Sequence, residues 1–543
     1  MIKNRWLISA ALPLGFSGCV VGPDYTKPRM PVPARFSATQ PSTQPAAQPI
    51  AGLERWWENF NDPMLDSLVG RAVRTNLDLR IAQSRVREAR SQLTIQRGAQ
   101  LPTVNAAAAY SRDRFSKEGF YIPGAGGAGA GGGTLSGNTG GAAGTAAGGT
   151  LGRSQARAAN GAGNGNSSNT SNGLASAFNR SEIDTWQGGF DASWEIDVFG
   201  GVRRSVEAAG ADEQAAIEAR RDVMVSLLAE VARNYIEVRG LQRELQIAGQ
   251  NIRSQQDTVD LTRSRFQAGL ATDLDVARAE AQVATTRSAV PALRTSLAQG
   301  IHRIGVLLGQ DPTALESELM RAAPIPAPPP VVPVGLPSQL LRRRPDIRRA
   351  ERQLAAATAR VGAATADLFP RFSLTGSTGL AAGQFTNLGR LDSVYYSVGP
   401  SISWPIFDAG RIRANIKVQN AREEEALAQY QATVLVSFED VENAIVGYAQ
   451  EQARHHELQR AVDANTRAVD LATQLYQKGL TDFLNVLESQ RNLFASQDQL
   501  VQSERSLSSD VVALYKALGG GWEAELGTPP ARPSVVGPHW AAR

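Results

Sequence analysis

The chain contains two copies of one long pattern, and this internal repeat restricts the possible folds more than any other feature of the sequence. Phe266–Leu270 aligns with Tyr476–Leu480 at an offset of 210 residues, and further upstream an offset of 268 aligns Leu101 with Phe369. The difference between the two offsets places an insertion of 58 residues in the first copy. Each element of the first copy is therefore expected again in the second.

The long segments of both copies place an apolar residue at nearly every seventh position. Such a period keeps one apolar stripe against a neighbouring helix only when the helices supercoil left-handedly. The sequence therefore predicts one long coiled-coil hairpin per copy, with tips near Gly269 and Gly479. Pro291 lies inside the first return helix and is expected to kink or break it. The heptad positions are Val231, Val238, Leu245, Ile252, Val259, Phe266, Val276, Val283, Val290, Leu297 and Ile304, then Val441, Tyr448, His455, Val462, Val469, Tyr476, Val486, Leu493, Leu500, Leu507 and Leu514.

Composition and the repeat together divide the chain into segments. The first copy carries a stretch rich in Gly, Ala, Asn and Ser at about residues 119–176, which has too little apolar content to pack and is expected to be a flexible loop. The predicted segments are a leader at 1–18, an N-terminal segment at 19–76, repeat 1 at 77–310, a proline-rich linker at 311–337, repeat 2 at 338–519 and a C-terminal tail at 520–543.

Between the helical parts of each copy, the apolar period changes from seven to two. This alternation predicts strands with one apolar and one polar face, in lengths that suit a tilted membrane strand, although a soluble hairpin with one wet face would show the same pattern. The apolar sets are Val104, Ala106, Ala108 and Tyr110 with Phe190, Ala192, Trp194 and Ile196 in the first copy, and Phe372 and Leu374 with Tyr396, Val398, Ile402, Trp404 and Ile406 in the second.

The number of predicted strands points to an assembly of several chains. Two hairpins give four strands, whereas the smallest membrane barrels have eight, and lipid does not tolerate an open sheet edge. Three chains would supply twelve strands, an even number and enough for a water-filled lumen. The predicted fold is thus α+β, with strands in a shared barrel and long helices outside it.

Cys19 is the only cysteine of the chain, so it cannot form an intrachain disulfide. It follows a leader with basic Lys3 and Arg5, an apolar core and small Ser17 and Gly18. This arrangement resembles the bacterial lipobox, which implies that the sulfur of Cys19 carries a lipid. An ordinary signal peptide with an incidental cysteine is the alternative. Beyond this covalent lipid, we expect no cofactor.

Several classes of function are disfavoured by composition. The formal charge of +4 is mild and evenly spread, so nucleic acid is not an expected partner. Four histidines, no second cysteine and no spaced nucleophile or ligand motif leave no plausible catalytic or metal centre. The chain is therefore not expected to be an enzyme.

Four strings of the sequence resemble the lipoprotein branch of the TolC-like outer membrane factor family. They are Val21–Tyr25 (VGPDY), the pair Trp56 and Trp57, Leu336–Ile347 (LPSQLLRRRPDI) and Leu514–Trp522 (LYKALGGGW). The resemblance implies a homotrimer with a twelve-stranded barrel in the outer membrane lipid, four strands per chain, and a periplasmic tube of helical hairpins. Segments 19–76, 311–337 and 520–543 would form its equatorial region. It also implies passive export of small toxic compounds, through a tripartite pump with a periplasmic adaptor protein and an inner-membrane RND transporter.

The same resemblance implies roles for residues at the hairpin tips. Adaptor contact falls on Gly269, Leu270, Gly479 and Leu480. A constriction of the closed tube falls on Leu484 and Glu488, which lie four residues apart on one helix face. A hydrogen-bonded latch at the tip falls on Asp275 and Tyr476.

Two other functions stay open at the level of sequence. The same architecture could serve as a duct for type I protein secretion. Alternatively, the chain could be a coiled-coil lipoprotein that acts as a structural spacer and transports nothing. Conductance in liposomes would separate either duct from a spacer.

Overall fold

A computed structural model describes residues 20–33, 36, 53–114, 182–329 and 337–523 of the chain. Cys19, the leader, the Gly-rich insertion and most of the C-terminal tail lie outside these ranges. The chain divides into two compact units, which are described separately. The first comprises Met1–Pro23, Thr94–Val206 and Ala359–Gln419, and the second comprises Asp24–Leu93, Glu207–Thr358 and Asn420–Arg543.

Helices account for most of the described chain, and their lengths recur in pairs. Two helices have 67 residues, two have 35 and two have 22. Equal lengths are what an internal repeat predicts. The helices are α1 Pro63–Thr75, α2 Leu77–Gly98, α3 Gly201–Gln267, α4 Asp273–Leu307, α5 Glu316–Leu319, α6 Pro337–Arg343, α7 Pro345–Ala366, α8 Arg411–Gln477 and α9 Phe483–Ala517, with 3-10 turns at Trp56–Phe60, Phe385–Asn387 and Leu391–Ser393.

The core of the second unit lies where the N-terminal segment packs against the long helices. Trp56 is 1 % exposed and stacks on Tyr515, with ring centroids 5.3 Å apart. The Asn59 side chain donates to the Tyr515 hydroxyl at 3.0 Å, and the Tyr235 hydroxyl donates to the Asp62 carboxylate at 2.7 Å. The hydroxyls of Tyr515 and Tyr235 thus have hydrogen-bond partners in this core, whereas the buried indole nitrogen of Trp56 has none.

The heptad positions are buried at many points, with one clear exception. Val231, Val238, Ile304 and Val441 are fully buried, in agreement with the predicted apolar stripe. Phe266, in the last turn of α3, is 42 % exposed, so the stripe prediction is wrong at this position, whereas the equivalent Tyr476 in the last turn of α8 is 4 % exposed. The expected break at Pro291 is also absent, since α4 continues through it.

The first unit contains one antiparallel sheet of four strands in the order β1-β2-β3-β4. The strands are β1 Thr103–Arg114, β2 Glu182–Ile196, β3 Arg371–Ala382 and β4 Val394–Ser403. The middle pairing, β2 with β3, joins the two copies of the repeat.

The strand register confirms the predicted alternation. Val104 lies opposite Ala192, Trp194 opposite Leu374, and Phe372 opposite Ile402, so these predicted apolar residues share one face. At one end of β1 and β2 that face carries ion pairs of Arg112 with Glu182 and Asp184 instead. Polar side chains share the other face and bond across strands, as in Asn105 to Asp191 at 3.1 Å and Ser373 to Ser401 at 2.7 Å. The sheet therefore presents one apolar and one polar surface.

Candidate functional site

The two hairpin tips end their first helices in the same way. Gly269 and Gly479 have φ angles of +70° and +72°, a left-handed conformation that glycine adopts without a steric cost. The amide of Leu270 donates to the carbonyl of Arg265 at 2.8 Å, and that of Leu480 to Leu475 at 2.9 Å. These are the bonds of a Schellman motif, which ends a helix sharply and lets the chain reverse.

The second helix of each hairpin begins differently. At the first tip, Thr272 and Asp275 form a capping box, in which the Asp275 carboxylate accepts from the Thr272 amide at 3.1 Å and the Thr272 hydroxyl accepts from the Asp275 amide at 3.3 Å. At the second tip, Asp482 occupies the N-cap position without a side-chain capping bond. The first tip is thus closed by a capping box, whereas the second has a different local bond, from the Asn485 side-chain amide to the Thr481 hydroxyl at 2.7 Å.

A small apolar cluster lies directly behind the tips and contains residues of both hairpins. Phe483 and Tyr476 are 3 % and 4 % exposed, and their rings lie 5.7 Å apart. This cluster, called the tip cluster below, comprises Val259, Ala279, Val283, Ala472, Tyr476, Phe483, Val486 and Leu487. Packing across it holds the second hairpin against the first.

Arg265, near the end of α3, makes the most direct contact between the two tips. Its guanidinium lies over the Tyr476 ring, 4.7 Å from the centroid, and its Nη1 donates to the Gln477 carbonyl at 3.0 Å. Gln477 is the last residue of α8, so this bond satisfies a carbonyl that no helical amide reaches. Arg265 therefore ties the end of α3 to the end of α8.

The latch expected between Asp275 and Tyr476 is not formed within one chain. The Tyr476 hydroxyl is buried and has no hydrogen-bond partner. The Asp275 carboxylate instead accepts from both the amide and the hydroxyl of Thr272. Both of these bonds go to Oδ2 of Asp275, so the capping box at the start of α4 directs the carboxylate to Thr272 of its own tip.

Arg265 was not among the residues predicted for the tips. A basic residue in the last turn of a helix is a common signal for binding carbonyl oxygens. The carbonyl that it binds, however, belongs to the other hairpin, 212 residues away in the sequence. The repeat gave no help either, because the offset of 210 places Leu475 at the corresponding position of the second copy.

The residues predicted for adaptor contact and for the constriction lie at the surface of the tips. Leu270 is 65 % exposed, Leu480 69 % and Leu484 53 %. Glu488 is also exposed and lies one helical turn beyond Leu484 on α9. Exposed leucines at three neighbouring positions are unusual for a surface that only water covers.

A polar seam continues from the tip cluster into the bundle. Gln490 donates to the Thr258 hydroxyl at 2.8 Å within the buried seam, and Arg491 donates to the Gln282 side chain at 2.7 Å. These bonds join α9 to α3 and to α4 through side-chain groups. The tip region is therefore held by specific polar pairs in addition to a few apolar contacts.

Two further kinds of site were sought in the described part of the chain. Its residues contain no group of three or more His, Cys, Asp or Glu side chains that could hold a metal ion. Its helices include none with both the length and the hydropathy needed to cross a membrane.

Comparison with known proteins gives the family. The model of the outer membrane efflux protein family matches residues 149–310 and 336–520. The chain is 32 % identical to the pyoverdine export outer membrane protein OpmQ of Pseudomonas aeruginosa, over 96 % of this chain and 98 % of that protein. It is 30 % identical to the toluene efflux pump outer membrane protein TtgF of Pseudomonas putida, again over 96 % of this chain and 98 % of that protein.

A solved structure agrees with this assignment. The outer-membrane channel OprN superimposes with a TM-score of 0.78 and 34 % identity, covering 93 % of this chain and all of that chain. These similar proteins are export and efflux proteins of the outer membrane rather than enzymes. The chain therefore belongs to the outer membrane efflux protein family and is itself a protein of the outer membrane.

Proposed function

We propose that three copies of this chain form the outer membrane channel of a tripartite efflux pump. The observation that carries the proposal is the division of the four-stranded sheet into an apolar and a polar face. A strand in a membrane barrel turns its apolar side chains to lipid and its polar ones to the lumen. Tyr110 and Trp186 near one end of the sheet and Trp194 near the other resemble the aromatic girdles of such barrels.

Closing the barrel requires more than one copy. Within the described chain the sheet has four strands, and β1 and β4 form its edges. Unpaired edges are not stable in lipid, and an even number of strands is the rule for bacterial barrels. A trimer gives twelve strands, and the long helices of the two hairpins would continue into the periplasm as a tube.

The cargo proposed for this channel is a small organic compound. OpmQ is named for pyoverdine export and TtgF for toluene efflux, and both align with this chain over nearly their whole length. An inner-membrane RND transporter would supply the energy, and a periplasmic adaptor would connect the two. The exposed leucines Leu270 and Leu480, beside Gly269 and Gly479, support adaptor docking at the tips.

Leu484 and Glu488 would form the constriction of the resting channel. In a trimer, three leucines and three carboxylates one turn apart would narrow the lumen, exclude water and favour cations. We expect Leu484→Ala and Glu488→Ala each to raise the single-channel conductance of the purified trimer. Leu274→Ala is the matched control, because Leu274 is 57 % exposed at the equivalent position of the first tip. Unchanged conductance in both variants would remove this assignment.

Cys19 would carry the lipid anchor. The residues that follow it are fixed to the first unit, since the Val21 amide donates to the Phe199 carbonyl at 3.1 Å and Arg204 reaches the Val21 carbonyl at 3.4 Å. Phe199 lies just after β2, so an acyl chain on Cys19 would begin close to the end of a proposed membrane strand. Intact-mass measurement of the mature protein tests this, since an unmodified cysteine would refute it. We expect Cys19→Ser to impair sorting or assembly more than conductance.

Deletion of the gene followed by a broad toxicity screen tests the proposed function. Loss of resistance to small toxic compounds, restored by the full chain, is the expected result. Loss of a secreted protein instead would favour the secretion duct. A purified protein that conducts no ions in liposomes would leave only the structural spacer.

A further inference from the structure

Among the described residues, the two outer strands of the sheet, β1 and β4, each have one edge that pairs with no other strand. Every residue of β1 is exposed, and eight of the ten residues of β4 are exposed as well. If the proposed trimeric barrel is right, β4 of one copy must pair with β1 of the next. The internal repeat makes it possible to infer the register of that pairing.

The repeat offsets relate the two hairpins residue by residue. The offset of 268 carries Thr103 onto Arg371, and the offset of 210 carries Ser193 onto Ser403. Thr103 lies opposite Ser193 in the sheet, and Arg371 lies opposite Ser403 in the same way. They also relate a side-chain contact at the base of each hairpin. The Trp194 indole donates to the Gln100 carbonyl at 3.0 Å, and the offset-matched Trp404 indole donates to the Leu368 carbonyl, also at 3.0 Å.

The same offsets allow the pairing between two chains to be inferred from the pairing of the two repeat copies within one chain. In the middle of the sheet, Asp191 of β2 lies opposite Ser377 of β3. The offset of 210 carries Asp191 to Ser401 on β4, and the offset of 268 relates Ser377 to Ala109 on β1. We propose that β4 of one chain pairs with β1 of a second copy in this register, with Ser401 opposite Ala109.

The register matches the chemistry of the two edges. It places Ile402 opposite Ala108, both on the apolar face, and Ser403 opposite Ala107, both on the polar face. Shifting the pairing by one residue would put apolar side chains of β4 beside the polar row of β1. Further along the strands it places Val398 opposite Arg112 and Tyr396 opposite Arg114, so the match in polarity is confined to the end of the sheet that contains Ile402 and Ala108.

The register further produces the stagger that a closed barrel needs. Within one chain, Asn105 lies opposite Asp191, Asp191 lies opposite Ser377, and Ser377 lies opposite Ser397. The inferred junction continues from Ser397 to Asp113 of the second copy, eight residues further along β1. A barrel closes only when its strands tilt and the register shifts in one direction around it.

Engineered cysteine pairs in intact outer membranes test this register. Ser401→Cys combined with Ala109→Cys is expected to form covalent dimers and trimers on mild oxidation, seen on denaturing gels without reductant. Ser401→Cys with Ala107→Cys is the matched control, because residues two places out of register lie about 7–8 Å apart and a disulfide needs a Cβ separation of about 3.5–4.5 Å. Single-cysteine variants, which retain Cys19, report any bond made through that residue.

An intrachain pair shows that strand positions can be oxidised at all. Ser193→Cys with Thr375→Cys joins neighbours in the sheet and should form a disulfide within one chain. A bond in the Ala107 pair but not in the Ala109 pair would overturn the register and leave the barrel intact. A trimeric mass in the absence of either bond would overturn direct pairing of these edges. A monomeric mass would instead refute the proposed function on which the inference depends.

Discussion

The two hairpin tips have nearly the same backbone but are stabilised in different ways. Both reverse at a left-handed glycine, Gly269 or Gly479, with the same pair of terminal hydrogen bonds. At the first tip, Thr272 then starts the return helix with a capping box. At the second, Asp482 forms no side-chain cap, and Phe483 in the next position is buried instead.

This difference shows that one tip is held locally and the other by its neighbour. A capping box depends only on residues three places apart, so the first tip should keep its shape whatever surrounds it. The second tip depends on the tip cluster and on Arg265, both of which involve the first hairpin. The second tip carries the proposed constriction. Contacts between the hairpins, rather than local capping, should therefore control that constriction.

Phe483→Ala is expected to have the largest effect on the difference in stability between the two tips. Phe483 is 3 % exposed, and truncating a buried phenylalanine commonly costs about 3–5 kcal/mol. Because a hairpin tip can partly collapse into the space, we expect the free energy of local opening at the second tip to fall by about 3 kcal/mol. Hydrogen exchange in peptides that cover residues 470–490, compared with peptides that cover residues 258–280, measures this free energy of opening.

The offset-matched control for this change is Asp273→Ala. Asp273 is exposed at the start of α4, so its removal should alter protection of the first tip by no more than about 0.5 kcal/mol. If Phe483→Ala lowered protection equally at both tips, they would open as one unit and the contrast would be wrong.

Arg265→Ala should have the next largest effect. The variant loses a cation–π contact and a charged hydrogen bond to the Gln477 carbonyl, for which we expect about 2 kcal/mol of lost protection at the second tip. Arg265→Lys should recover only part of this, because an ammonium lacks the planar fork of the guanidinium.

Arg263→Ala is the matched control for the loss of an arginine. Arg263 pairs with Glu280 inside the first hairpin, and both side chains are 51 % exposed. Such a surface pair is worth about 0–1 kcal/mol, so its loss should leave the second tip unchanged. An effect as large as that of Arg265→Ala would mean that net charge, not the contact, holds the tip.

Removing the N-cap residues should have smaller effects than the changes at Phe483 and Arg265, and here the first tip should lose more stability than the second. Thr272→Ala breaks the capping box and should cost the first tip about 1 kcal/mol. Asp482→Ala removes no capping bond and should cost less, leaving only an interaction with the helix dipole of about 0.3–1 kcal/mol. Exchange at the amides of each return helix distinguishes the two. Equal losses would mean that Asp482 caps α9 in solution.

A capping box can also be added to the second tip. Asp482→Thr combined with Asn485→Asp introduces the residues found at the first tip, and should raise protection at the start of α9 by about 0.5–1 kcal/mol. Failure of this gain would indicate that the buried position of Phe483 prevents the backbone geometry that the box requires.

The features predicted correctly from the sequence are those that repeat along the chain. The glycines at both tips and the two faces of the sheet follow from periods of seven and two, which neighbouring residues determine. The pairing of β2 with β3 and the contact of Arg265 with Gln477 join segments that are far apart in sequence. No local period encodes such contacts, so only the folded chain reveals them.

The pair Asp275 and Tyr476, which forms no hydrogen bond within one chain, illustrates the same limit at a single residue. Asp275 matches a family position by alignment, but its carboxylate has a nearer partner in Thr272, three residues before it. A local hydrogen bond formed with the helix itself competes with any partner on another helix. Within one chain, local chemistry therefore determines the partner of Asp275.

Tyr476→Phe is expected to have the smallest effect of all, because it removes only a buried hydroxyl that has no hydrogen-bond partner. Replacing such a group leaves the ring in place under Arg265, so the protection of the second tip should change by less than about 0.5 kcal/mol. Tyr476→Leu, the control that removes the ring, should instead reproduce part of the loss in Arg265→Ala. The comparison becomes decisive in the assembled protein. If Tyr476→Phe raised the conductance of the trimer while the protection of the monomeric chain stayed unchanged, the hydroxyl would bond to Asp275 of a second copy, and the second tip would then be held by its neighbours on both sides.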